Sequence, residues 1–311
     1  MKAHSFVREN APKVLRHKST ESSGALCPDF TKYLYFLFAP TLLYRDEYPR
    51  SPGPIRWDYV VSNFGQVFAC LFYIHYIFER FCIPVFKNFD HHFVTPRHFV
   101  VSVFSCMLPA TLLLFIGFFA ILHSWLNAFA EMLRFADRLF YKDWWNSPSF
   151  SNWYRTWNVV VHDWLYTYIY QDFSLIVRKC SRTFHMAIVF LLSAIVHEYI
   201  FSVAFGFFYP VLFFMFAGLG FGFTFLPLKS QMCGNVFLWV ALFFGNGIIM
   251  CLYSMEWYAR RRCPVYTDSY ADYFIPRSWT CDFSAIRPYA GDLHAGSTDE
   301  AGQAYVPNKE L

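Results

Sequence analysis

A histidine in the middle of an apolar run is the residue in this chain best suited to chemistry. It is His197, within Ser193-Ala194-Ile195-Val196-His197-Glu198-Tyr199. An ionisable side chain at bilayer depth costs at least ~2.5 kcal/mol on insertion scales, so it faces a cavity or a partner. Neutral imidazole is cheaper to bury than a carboxylate. It carries one donor and one acceptor, which suits removal of a proton from a hydroxyl. The residues alone leave two roles open, a general base or a hydrogen-bonded packing group between helices. Glu198, next in sequence, faces ~100° away on a helix and is no obvious relay partner.

A second polar cluster begins at Phe140-Tyr141-Lys142-Asp143-Trp144-Trp145-Asn146 and continues through Arg155-Thr156-Trp157-Asn158-Val159-Val160-Val161-His162-Asp163-Trp164. It reads either as an aromatic belt with its charges at headgroup level, or as a cytosolic loop folding over a site entrance. In the second reading Arg155, His162 and Arg182 are available to an anionic ligand.

The elements that must position these residues are membrane spans. The chain has 311 residues, 56% of them hydrophobic and 15% charged, with mean hydropathy +0.28; soluble domains carry about 25% charged residues. Stretches 59–86, 100–129, 183–205, 207–228 and 236–258 are each long enough to cross, against a requirement of about 20 apolar residues. The second is over-long and continues as an interfacial helix. Segments 33–44, broken by Pro40, and 157–170 read as interfacial or re-entrant. Lys and Arg concentrate in residues 1–58 and in the loop 131–182, which places both in the cytosol. Five crossings then put the C-terminus across the membrane. Residues 282–311, rich in Gly, Asp, Ser and Pro, read as a disordered tail. The net charge of +4 comes with no basic stripe or groove-reading motif, which argues against nucleic acid. The nine cysteines show no zinc spacing, so no metal is expected, and Cys70, Cys106 and Cys251 read as small hydrophobes.

The run at 140–146 resembles the FYxDWWN signature of the sterol and diacylglycerol branch of the membrane-bound O-acyltransferase superfamily. Asn158 and His197 fall where that family places its functional Asn and catalytic His. His4-Ser5-Phe6-Val7-Arg8-Glu9-Asn10, the segments 33–41 and 44–50, the WNVVVHDW of 157–164, and the segments 256–260 and 276–281 resemble the sterol O-acyltransferases in particular. The resemblance covers residues 1–281.

It implies an all-α polytopic membrane protein, a helical bundle with an internal catalytic tunnel, and a core over 1–281. It implies transfer of a long-chain fatty acyl group from acyl-CoA to the 3-hydroxyl of a sterol, in the endoplasmic reticulum membrane. Partners are then fatty acyl-CoA, sterol, membrane lipid and a second copy of the chain in a dimer or tetramer. No cofactor is implied, since acyl-CoA is a co-substrate. By position His197 becomes the base and Asn158 the group polarising the thioester. Tyr154, Arg155, His162, Tyr170, Arg182 and Ser193 line the acyl-CoA tunnel, Arg182 standing where a Lys is expected. Phe140, Tyr141, Asp143, Trp144, Trp145 and Asn146 form the signature, and Cys263 and Cys281 pair as a lumenal disulfide. The resemblance further implies N-terminal spans ahead of those read here, so the chain is expected to be truncated at that end. The competing readings are a diacylglycerol or wax-alcohol acyltransferase and a non-catalytic membrane fragment or subunit.

Overall fold

The computed structural model describes residues 1–16, 28–87, 95–227, 230–263 and 270–281. Among them the secondary structure is helical, and the extended pairing is a single antiparallel bridge between Arg50 and Phe135. Among the described residues four helices are long and apolar enough to cross a membrane: α3 (Trp57–Phe86), α4 (Pro96–Met132), α7 (Arg182–Phe205) and α9 (Gln231–Arg262). Ahead of α3 lie α1 (Lys2–Arg16) and α2 (Phe30–Phe38). Between α4 and α7 come the short α5 (Phe150–Thr156) and α6 (Val159–Trp164), the latter running on through a wide turn, Leu165–Gln171.

One expected span is corrected. The stretch 207–228 was expected to cross, but it folds as a shorter apolar helix, α8 (Val211–Phe223). At 1.5 Å per residue it rises about 20 Å, well short of the ~30 Å hydrocarbon core. Its run is apolar enough, but Pro210 sets its start, and turns closed by Thr224 N–H to Phe221 O and Phe225 N–H to Gly222 O end it before Pro227. Leu228 lies outside the described residues. By length and composition, the described residues hold four helices able to cross where five crossings were expected. A tight turn precedes α8: Gly206 takes φ 77°, a left-handed conformation that closes α7. The tail 282–311 lies outside the described residues.

The body of the fold is α4 packed along α9. Gly247 lets the helices approach, since a Cβ there would stand 2.7 Å from Met107 Cγ and 2.9 Å from the Val103 carbonyl. Small residues at such crossings are how membrane helices gain packing without a hydrophobic driving force. Phe86, Val103, Cys106, Cys251, Met255 and Tyr258 fill the adjacent core. Cys70, Cys106 and Cys251 are buried free thiols, as the apolar context predicts.

Polar anchors sit at the helix ends. Glu131, at the end of α4, accepts from the Arg56 backbone N–H and guanidinium and from Arg138 at 2.8–3.1 Å, tying the start of α3 to the following loop. At the end of α9 the fully buried Glu256 accepts from Arg260, from the Arg277 and Ser278 backbone N–H groups, and from the Ser278 hydroxyl. Cys263 and Cys281 close the same corner as a disulfide. The α1 helix clasps α6 and the turn that follows its extension: Trp164 Nε1 donates to Ser5 Oγ at 2.9 Å, and Arg8 pairs with Asp172 through two 2.8 Å bonds.

Candidate active site

His197 lies two-thirds of the way along α7. Its Nδ1 is 2.7 Å from the Ser193 carbonyl, one turn earlier, and 3.4 Å from the Ser193 hydroxyl. A carbonyl only accepts, so Nδ1 carries the proton of the neutral ring. Nε2 is then left as the bare acceptor. That is the tautomer a general base needs. The imidazole is half-buried and lies against the Phe216 ring of α8, centroids 4.4 Å apart and planes 20° from parallel.

Asn158 breaks the chain between α5 and α6. Its side-chain oxygen caps α6 by accepting from Val161 N–H at 3.1 Å. Because a backbone N–H only donates, the bond also fixes which way the amide faces: oxygen into the helix end, NH₂ away from it. The amide therefore presents donors, the polarity that an oxyanion requires.

The run 140–146 holds Asn158 with backbone atoms. Lys142 N–H donates to Thr156 O at 2.8 Å and Val159 N–H donates to Phe140 O at 2.9 Å, so the two bonds bracket Trp157 and Asn158. Phe140 is buried with Ala39, Ala130 and Phe135. Trp144 is buried among Phe115, Phe118, Trp157 and Trp239. Tyr141 bonds His123 Nδ1 at 2.8 Å. The Trp145 carbonyl accepts from Asn235 and Trp239 of α9 at 2.8 and 3.1 Å. The Asp143 and Asn146 side chains are exposed, and the latter's backbone closes a turn onto Asp143 O. The signature is thus a scaffold, wedged between α4 and α9, that fixes the loop carrying Asn158.

The remaining expected residues divide into three groups. Tyr154, one turn before Asn158, meets Phe190 of α7 edge-on at 4.9 Å and Phe216 at 6.4 Å. Phe216 therefore bridges the Tyr154 arm to His197, and Ser193 lies beneath the imidazole. Burial pushes the Tyr154 phenol above its ordinary pKa, so it stays neutral. His162 and Tyr170 belong to a ladder of rings: His162 stacks on Tyr166 (6.3 Å, 7°), Tyr166 on Tyr170 (5.5 Å, 13°), and Tyr170 meets His185 of α7 edge-on. Arg155 and Arg182 are exposed and form no ion pair among the described residues. Sequence reasoning missed Phe216, Phe190 and Gly220. A Cβ at Gly220 would lie 2.5 Å from the Tyr154 hydroxyl, so α8 is pressed against that phenol. The repeated glycines 218, 220 and 222 were the available signal of a close approach.

This helical chain matches the model of the membrane-bound O-acyltransferase family over residues 4–255, a span that includes Asn158 and His197. The chain belongs to the membrane-bound O-acyltransferase family. Among curated relatives, this membrane-bound O-acyltransferase is 55% identical to sterol O-acyltransferase 1 of Chlorocebus aethiops over 285 residues, which is 91% of this chain and 52% of the relative. It is 54% identical to sterol O-acyltransferase 1 of Mus musculus, over 91% of this chain and 53% of the relative. It is 50% identical to sterol O-acyltransferase 2 of Homo sapiens, over 90% and 54%. The chain spans about half the length of the curated relatives it matches. It is a multi-pass membrane protein.

Proposed function

We propose that this chain carries the catalytic base and oxyanion donor of a sterol O-acyltransferase, esterifying the 3-hydroxyl of a sterol with the fatty acyl group of acyl-CoA. The observation that carries the reading is the Nδ1–H to Ser193 O bond, which leaves His197 Nε2 free to accept a proton. The 50–55% identity to sterol O-acyltransferases supports the choice of alcohol.

In this reading Nε2 takes the sterol hydroxyl proton as the oxygen attacks the thioester carbonyl. The Asn158 NH₂ donates to the developing oxyanion. As the tetrahedral intermediate collapses, the C–S bond breaks and the imidazolium returns the proton to the departing CoA sulfur. A thioester is already activated, so neither an acyl-enzyme nor a cofactor is required. The Tyr154, His162, Tyr170 and Ser193 side chains line the acyl-CoA path, with Arg155 and Arg182 as exposed cations for its phosphates. The endoplasmic reticulum membrane, a lumenal Cys263–Cys281 corner and a homo-oligomer belong to the same proposal. An oxidising lumen suits that disulfide.

The test uses microsomes from a host without steryl-ester synthesis, expressing the longest open reading frame that contains this chain. Given radiolabelled oleoyl-CoA, they should form cholesteryl oleate in preference to triacylglycerol when cholesterol and diacylglycerol compete. His197→Ala should abolish ester formation while acyl-CoA binding survives. Near-normal turnover by that variant, or a preference for diacylglycerol, refutes the reading.

A further inference from the structure

Glu198 adjoins the base in sequence but turns away from it, and it is buried, 3% exposed. Its Oε2 accepts from the Phe213 backbone N–H at 3.1 Å, and the Tyr253 hydroxyl of α9 donates to the carboxylate at 2.9–3.0 Å. The same hydroxyl accepts from Leu212 N–H at 3.2 Å. Leu212 and Phe213 lie in the first turn of α8, where N–H groups have no partner within the helix. A carboxylate there also meets the positive end of the helix dipole. Three residues further along α8, Phe216 lays its ring on His197. One turn of α7 therefore grips α8 twice, by a carboxylate at its start and by the imidazole at the following turn.

We propose that Glu198, with Tyr253, is a positioning residue for the base: it pins the N-terminus of α8 and so holds the Phe216 ring that fixes the plane of the His197 imidazole. This rests on His197 being the base. No proton passes between Glu198 and His197. The carboxylate acts through α8, which is too short to be held by spanning the bilayer and, among the described residues, meets no other buried acidic or basic side chain at its start.

Glu198→Gln, Tyr253→Phe and Phe216→Leu are made singly and in pairs in the same full-length reading frame, with turnover normalised to folded protein by fluorescence-detected size exclusion. Loss of an ångström-scale alignment lowers kcat by about 10- to 100-fold in each single variant, with KM for oleoyl-CoA changed less than about twofold. Added to Phe216→Leu, Glu198→Gln costs less than about a further twofold, because the anchor works through that ring. Losses that multiply in the double variant overturn the proposal, as does an unchanged kcat in Glu198→Gln. If Glu198→Gln does not fold, Tyr253→Phe in the Phe216→Leu background makes the same comparison. His197→Ala runs alongside: full turnover by that variant would defeat the base assignment, whatever the anchor variants do.

Discussion

Gly220 offers the sharpest test of how α8 is seated. An alanine Cβ there would stand 2.5 Å from the Tyr154 hydroxyl oxygen, against 3.4 Å for ordinary contact, so something must shift by roughly 1 Å. Tyr154 has little room to retreat, because its ring is edge-on to Phe190 at 4.9 Å and near Phe216 at 6.4 Å. The helix must therefore move, and Phe216 moves with it. Overpacking of this kind costs about 1–3 kcal/mol. An ångström of displacement beside a positioned base can cost about 100-fold in rate. Gly220→Ala is thus expected to lower the apparent melting temperature in detergent and to cut ester formation by one to two orders of magnitude, roughly in line with those two terms. Tyr154→Phe removes the clashing oxygen, leaving the ring carbon at 3.7 Å and the Met215 carbonyl as the remaining close contact at 3.1 Å. The double variant should therefore recover part of the melting temperature and part of the turnover. A Gly220→Ala protein with unaltered melting and turnover, or a double variant no more stable than the single, refutes this seating.

Two further predictions address the cap and the C-terminal corner. Asn158→Asp keeps an acceptor for Val161 N–H but loses the NH₂ donors, so folding persists while turnover falls by about 10²–10³-fold. Asn158→Ala loses the cap as well and costs about 0.5–2 kcal/mol of stability; equal stability in the two variants counts against the cap. Hydrogen bonds from Arg277 hold the Asp272 carboxyl below its ordinary value of 3.8. A depressed folded value means its contribution is complete above that pH and is lost as pH falls through the folded value. Hydrogen-exchange protection of 271–280 should then be flat from about pH 5 to 8 and fall below about pH 4, an acid limb that Asp272→Asn removes. Loss of protection beginning near pH 6 would show that another group controls this corner.

The two candidate site residues were legible in the sequence because their oddity is local. A histidine inside an apolar run and an asparagine before Val159-Val160-Val161 stand out against their neighbours. What holds them was not legible. The Lys142 to Thr156 and Val159 to Phe140 bonds use main-chain atoms, which carry no residue-type signal. Glu198 was noted only as facing away from His197, since its partners lie 15 and 55 positions along the chain. Residues 207–228 passed for a span because hydropathy weighs composition and ignores where turns fall. Pro210, the glycines at 218, 220 and 222, and Pro227 leave that composition almost untouched while shortening the helix.

The His197 Nδ1–H donates to a carbonyl of the same helix, one turn away. The proposed base thus carries its own tautomer with it, set within its own helix. In the proposed reading, remodelling walls other than the Phe216 ring to admit a different alcohol would leave Nε2 the bare acceptor. Acceptor range and proton chemistry are separable in such a design, and a lineage could trade one lipid hydroxyl for another without reinventing its catalyst.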